Sequence, residues 1–213
     1  MILSAGLTGG IASGKSTISR LFAELGCMTV DADAVVAALY RPGAAGHAAL
    51  VETYGAGIVD AAGAIDRRKL ADVAFASPEA AQQLNALIHP LVRAEEQKLL
   101  AALPPDDDRI LVFEATLLIE AGHLERYDRI IVVDVSRKIQ IARGMARGMT
   151  HDEVVRRIAH QLPREERLRH ADYVIDNSGD TEAARAEVRR VFDALRADLA
   201  AKKKGRAESP SPN

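Results

Sequence analysis

Residues 7–17 read LTGGIASGKST. Within them Gly9, Gly10, Ile11, Ala12, Ser13, Gly14, Lys15 and Ser16 fit a phosphate-loop pattern: a glycine, four residues, a second glycine, lysine, then serine or threonine. The spacing has a mechanical reason. A strand ending at Leu7 feeds a turn whose glycines let the backbone bend around a phosphate, with amide hydrogens pointing inward. The helix that follows adds positive potential at its N-terminus. Lys15 then reaches the outer phosphates of a nucleoside triphosphate, and the Ser16 hydroxyl is placed for Mg2+. A glycine-rich turn that binds nothing is the bland alternative, but this match sits between a first strand and a clear helix, the context the motif requires.

Apolar, partly β-branched runs at 2–7, 110–113 and 130–135 read as buried strands, with shorter ones at 28–30 and 173–175. Helical patterns at 17–25, 79–103, 138–147, 151–161 and 181–200 alternate with them, so the class is α/β with a parallel sheet wrapped by helices. Residues 42–103 supply helices without a convincing strand, as an inserted substrate-covering part would. The expected layout is therefore a three-layer core of about 1–41 and 104–201, a helical insertion of about 42–103 and a lid of about 137–165. Pro90 predicts a kink or break in the helix around it, with His89 biased away from helical geometry. Residues 202–213 carry no apolar period and read as a disordered tail.

Lysine and arginine total 28 against 30 acidic residues, which argues against a chain living on nucleic acid or an anionic membrane. Any anionic ligand must be met locally. The single cysteine, Cys27, cannot form an internal disulfide, and no basic leader or long apolar stretch appears, so a cytoplasmic, soluble protein is expected. The guanine-reading motif of switch GTPases is missing, and residues 60–63 fit their loose aspartate-to-glycine pattern only as an ordinary turn.

The second strand delivers Asp31 and Asp33 to the carboxyl edge of the sheet, where ligands bind in open α/β folds. One carboxylate can accept a hydroxyl proton while the other supports magnesium or the loop; capping the next helix is the alternative. Arginines crowd residues 126–169, namely Arg126, Arg129, Arg137, Arg143, Arg147, Arg156, Arg157, Arg164, Arg167 and Arg169. Such density fits a lid that neutralises a triphosphate, although most of these side chains read as solvated helix surface.

The chain resembles the dephospho-coenzyme A kinase family over about residues 3–192. The resemblance rests on LTGGIASGKST at 7–17, Asp31-Ala32-Asp33, LNALIHPLV at 84–92, VVDVS at 132–136 and ADYVIDNSG at 171–179. It implies an ATP-dependent kinase that phosphorylates the ribose 3'-hydroxyl of dephospho-CoA with Mg2+. It implies catalytic roles for Asp33, Lys15 and Arg143, and nucleotide contacts from Gly9, Gly10, Ala12, Ser13, Gly14, Lys15, Ser16, Thr17, Arg147 and Asn177. Thr8, Asp33, His89 and Glu114 would meet the acceptor substrate, and Ser16 the metal. Two departures stand out. Glu114-Ala115-Thr116 replaces the family's common aspartate, aliphatic residue and proline before Leu117 and Leu118, and Gly144 and Gly148 fall in the lid, where glycine weakens helices. A mobile lid is the expectation. Other small-molecule kinases and a nucleotide-dependent switch are the rival readings.

Overall fold

The computed structural model describes residues 1–74, 76–102, 104, 108–122 and 124–208. The chain divides into two compact units, residues 1–31 with 105–213, and residues 32–104. The first contains a five-stranded parallel sheet of order β2-β3-β1-β4-β5, formed by β1 (Ile2–Gly9), β2 (Met28–Asp31), β3 (Arg109–Glu114), β4 (Arg129–Asp134) and β5 (Tyr173–Asp176). This is the α/β class that the alternating patterns predict. β1 lies at the centre and runs two residues further than its apolar run, because Thr8 and Gly9 stay in register with Val132 and Val133 of β4.

Alternation along β1 gives each face its own cover. Leu3, Ala5 and Leu7 join Val112, Ile131 and Val133 against Ile18, Leu21 and Phe22 of α1 (Lys15–Glu24) and Val188, Val191 and Leu195 of α9 (Thr181–Glu208). Gly6 faces the other way. A Cβ there would sit 2.9 Å from Leu118 and 3.1 Å from Tyr127, so glycine lets the segment after β3 lie directly on the sheet. Cys27 is buried in the α1–α9 core, and burial pushes its thiol up to about 12, which keeps it protonated and unreactive.

The second unit holds α2 (Ala32–Leu39), α3 (Ala45–Tyr54), α4 (Arg67–Ala74) and α5 (Pro78–Ala101). It starts ten residues before the expected boundary at 42, since α2 packs on α3 and α5. Gly46 allows that approach: a Cβ on it would lie 2.7 Å from the Leu39 carbonyl. The expected turn at 60–63 is present, with the Asp60 carboxylate accepting from the Ala62 and Ala64 amides beneath a single antiparallel bridge between Val59 and Ile65.

Two expectations are corrected. α5 runs unbroken through His89 and Pro90. Its buried stripe, Leu84, Ile88, Val92 and Glu96, continues at a stride of four across the proline, while Pro90 itself is exposed, so tertiary packing overrides the local penalty. The tail does not begin at residue 202, because α9 continues to Glu208. Alanine, lysine and arginine favour helix there, and Lys202 and Lys203 anchor the extension to Asp128 and Asp108 at 2.7 Å each. Residues 209–213 lie outside the described residues. The two glycines of the expected lid each have a defined place. α6 (Arg137–Ala146) ends in paired bonds, Gly148 N–H to Met145 C=O (2.9 Å) and Met149 N–H to Gly144 C=O (3.3 Å), with Gly148 at φ +87°. Gly144 is buried, and a Cβ on it would lie 2.5 Å from Val154 of α7 (His151–Ala159), so it sets the closeness of the α6–α7 hairpin.

Candidate active site

The loop after β1 has the form its glycines predict. Ser13 N–H bonds back to Gly10 C=O (3.1 Å), Ala12 stands at φ +56°, and Gly14 at φ +93° leads into α1. At any helix start the first N–H groups lack intrahelical carbonyls and present positive potential outward. Here Lys15 and the exposed Ser16 occupy that first turn. The Lys15 ammonium folds back over the loop and donates to Gly9 C=O at 3.2 Å. Gly9 must lack a side chain, because a Cβ would stand 2.5 Å from the Val133 carbonyl. At Gly14 a Cβ would collide with the Asn177 amide.

Asn177, just past β5, is buried and donates from Nδ2 to Ser13 C=O (2.7 Å). Arg143 of α6 donates to the same carbonyl (3.4 Å) and to Asn177 C=O (2.9 Å), so α6, the loop and the end of β5 meet at one point. Beyond it opens a cleft of ≈ 340 Å³ whose lining includes Gly14 and Thr17, Arg143 and Arg147, and Asn177, Gly179, Asp180 and Thr181. The exposed guanidinium of Arg147 and the mixed polar and apolar lining suit a flat, polar heterocycle next to the phosphate loop. The sequence reading anticipates Gly14, Thr17, Arg143, Arg147 and Asn177. Ala146, Asp180, Thr181 and Ala184 also line the cleft and carry no signal in the sequence, while Gly179 ends the Asn177-Ser178-Gly179 turn.

Parallel register sets Leu7, Glu114 and Asp31 side by side at the carboxyl ends of β1, β3 and β2. Glu114 and Asp31 therefore form an acidic edge immediately before the phosphate loop. Asp33 follows two residues later in the first turn of α2, and His89 sits in the middle of α5; both belong to the second unit. Thr8 is different. It is fully buried, and its hydroxyl donates to Thr116 C=O (3.3 Å), which leaves the substrate contact expected of it unsupported.

The arginine-rich segment resolves into distinct jobs. Arg129 makes a two-pronged pair with Asp198 of α9, both contacts 2.8 Å, and Arg164 a similar pair with Asp134 at the end of β4 (2.8 and 2.6 Å). Arg164 opens α8 (Arg164–Arg169), which that pair ties to the sheet. Arg156, Arg157 and Arg169 are exposed, as read. Arg167 is not: only 6 % of it is exposed, and it donates to Leu162 C=O (2.7 Å). Burial pulls its guanidinium below the usual arginine range, against the opposing pull of Glu120 and Asp134. Sequence reasoning also passes over Gln140 and Gln161, whose amides both reach Ile11 in the loop.

Comparison with known proteins agrees with this geometry. The family model described as dephospho-CoA kinase matches residues 3–183. Dephospho-CoA kinases of Aquifex aeolicus (39 % identical, 91 % of this chain and 97 % of the relative) and Geobacter sulfurreducens (40 % identical, 88 % and 95 %) align nearly end to end. A crystal structure from Thermus thermophilus superposes with a TM-score of 0.78 at 32 % identity, covering 92 % of this chain and 97 % of that one. A dephospho-CoA kinase from Campylobacter jejuni shares the fold, with a TM-score of 0.67 at 24 % identity and coverage of 92 % and 98 %. With a phosphate loop, the arginine-bearing helix α6 and a cleft joined at Ser13, and with relatives matched over nearly their whole length, the chain belongs to the dephospho-CoA kinase family.

Proposed function

We propose that this chain transfers the γ-phosphoryl group of ATP to the ribose 3'-hydroxyl of dephospho-CoA, giving coenzyme A. The observation that carries the reading is the phosphate loop, with the Lys15 ammonium laid across it and the Arg143–Asn177 cleft opening beside it, in a chain of this family. Phosphoryl transfer asks little covalent chemistry of a protein; positioning and charge stabilisation supply most of the rate. Loop amides and Lys15 cradle the outer phosphates. Arg143, held beside the loop by two carbonyls, brings a permanent charge to the transferring group. Asn177, Arg147 and Thr17 border the space for the base.

Ser16 is exposed in the first turn of α1 and offers the hydroxyl oxygen a hard cation prefers, with Asp31 and Glu114 along the same sheet edge. Bound there, Mg2+ would neutralise charge on the phosphate oxygens. Asp33 takes the proton of the acceptor hydroxyl, and His89 and Glu114 contact the acceptor. Among the described residues no helix is long and apolar enough to cross a membrane.

The direct test of the base assignment is Asp33→Asn. ATP affinity should stay within about threefold of wild type while turnover falls by about a hundredfold or more, the range in which positioned general bases contribute. Normal turnover by this variant would remove Asp33 from its role.

A further inference from the structure

Two glutamine side chains grip one residue of the phosphate loop, one at its N–H and the other at its C=O. Gln161 Oε1 accepts from the Ile11 N–H at 2.7 Å, and Gln140 Nε2 donates to the Ile11 C=O at 2.9 Å. The backbone partner dictates each amide's orientation, since an N–H can only donate and a C=O can only accept. Gln140 comes from α6 and is buried; Gln161 comes from the turn after α7. Gly10 makes room for the grip, because a Cβ on it would collide with the Gln140 amide.

The next residue, Ala12, stands in the left-handed region at φ +56°, which a side chain disfavours. Such a conformation persists only where its surroundings over-determine it. On its far side the Ser13 carbonyl is held by Asn177 and Arg143; on its near side the two glutamines hold Ile11. The glutamine side is itself braced. The Leu162 N–H donates to Glu120 Oε1 (2.9 Å), and its C=O accepts from the buried Arg167 (2.7 Å), so the residue next to Gln161 is also held at both its backbone groups. The Ile11 N–H, spent on Gln161, is withheld from any phosphate, so the clasp shapes the loop without touching the ligand.

We infer that Gln140 and Gln161 are positioning residues that set the phosphate loop in its binding conformation and make nucleotide affinity depend on the lid segment. This rests on the reading of the loop as a nucleotide site.

A charge-matched pair of variants tests it. Gln161→Glu keeps an acceptor for the Ile11 N–H, whereas Gln140→Glu replaces the donor with oxygens facing the Ile11 carbonyl. Both add the same charge beside the same residue. ADP affinity by titration calorimetry should fall about tenfold more in Gln140→Glu than in Gln161→Glu, the factor that one lost hydrogen bond commands. KM for dephospho-CoA should change less than twofold in either. Should Gln140→Glu fail to fold, Gln140→Met, which removes the donor without adding a charge, should bind ADP about tenfold more weakly than wild type, and unchanged affinity overturns the clasp. Equal losses of ADP affinity in the two variants, within a factor of two, overturn the clasp. Wild-type protein that binds ADP but ignores dephospho-CoA sinks the acceptor assignment alone, and the comparison of variants still decides the clasp. No nucleotide binding by the wild type overturns both.

Discussion

At the scale of single residues, the loop and the α6–α7 hairpin make opposite demands on substitution. Lys15 lies over the phosphate loop and packs into no core, so Lys15→Ala should lower kcat/KM by about a hundredfold or more while leaving the thermal midpoint nearly in place. Unchanged activity would contradict the phosphate-loop reading. The hairpin glycines behave the other way. Gly148→Ala forces a side chain into a left-handed C-terminal turn and should cost about 1 kcal/mol. Gly144→Ala gains about 1 kcal/mol of helix propensity but drives a methyl into Val154, an overpacking that costs roughly 1–3 kcal/mol. Both should lower the denaturant midpoint, and a stabilised Gly144→Ala would contradict the packing described. The residues that make the site were unevenly legible. Lys15, Ser16 and the loop glycines announce themselves because backbone geometry confines phosphate binding to one local pattern. Gln140, Gln161 and Arg167 do not, because their work depends on being brought to Ile11 and Leu162 from more than a hundred residues, or from one turn, away. A lone glutamine or arginine on a helix looks the same whether it faces water or a loop.

Among the elements, the strands were the most readable, since a central parallel sheet buries both faces and writes continuous apolar runs into the chain. β1 still outran its run at Thr8 and Gly9, where pairing to β4 extends the ladder beyond what side chains advertise. α5 shows the converse. A local rule predicts a break at Pro90, yet Leu84, Ile88 and Val92 carry one buried stripe past it, and the ring faces solvent. Proline there removes the bond that residue 90 would give to the Ala86 carbonyl. Pro90→Ala should therefore raise the stability of the protein, by up to about 3 kcal/mol, read as a higher thermal midpoint. A lower midpoint would show that the ring supports something beyond the helix. In α9 the apolar stripe ends near Leu199, but lysines and alanines carry the helix on. Periodicity reports burial, and an exposed helix held by ion pairs leaves no period to read.

For the molecule as a whole, that last stretch of α9 joins the two ends of the chain. Lys202 meets Asp128 and the Ile2 carbonyl, and Asp108 is shared by the N-terminal ammonium and Lys203. Partial burial raises the Asp128 carboxyl, but Lys202 and the Ser4 amide and hydroxyl outweigh it and hold the group below the usual range. A depressed carboxylate stabilises the fold above its unfolded value, about 3.9, and that contribution is lost as pH falls through the folded value. Asp128→Asn should thus lower the thermal midpoint at pH 7, with the gap to wild type closing below about pH 3.9; a gap independent of pH would contradict the ionic account. The family, the fold and the loop converge on one reaction. The measurement that tests it most directly is ADP formation from magnesium ATP with and without dephospho-CoA, the product weighed by mass spectrometry. The account predicts acceptor-dependent ADP and a product heavier than dephospho-CoA by one phosphoryl group, with the mass of coenzyme A. ADP formation indifferent to dephospho-CoA, in folded protein that binds ATP, would contradict it.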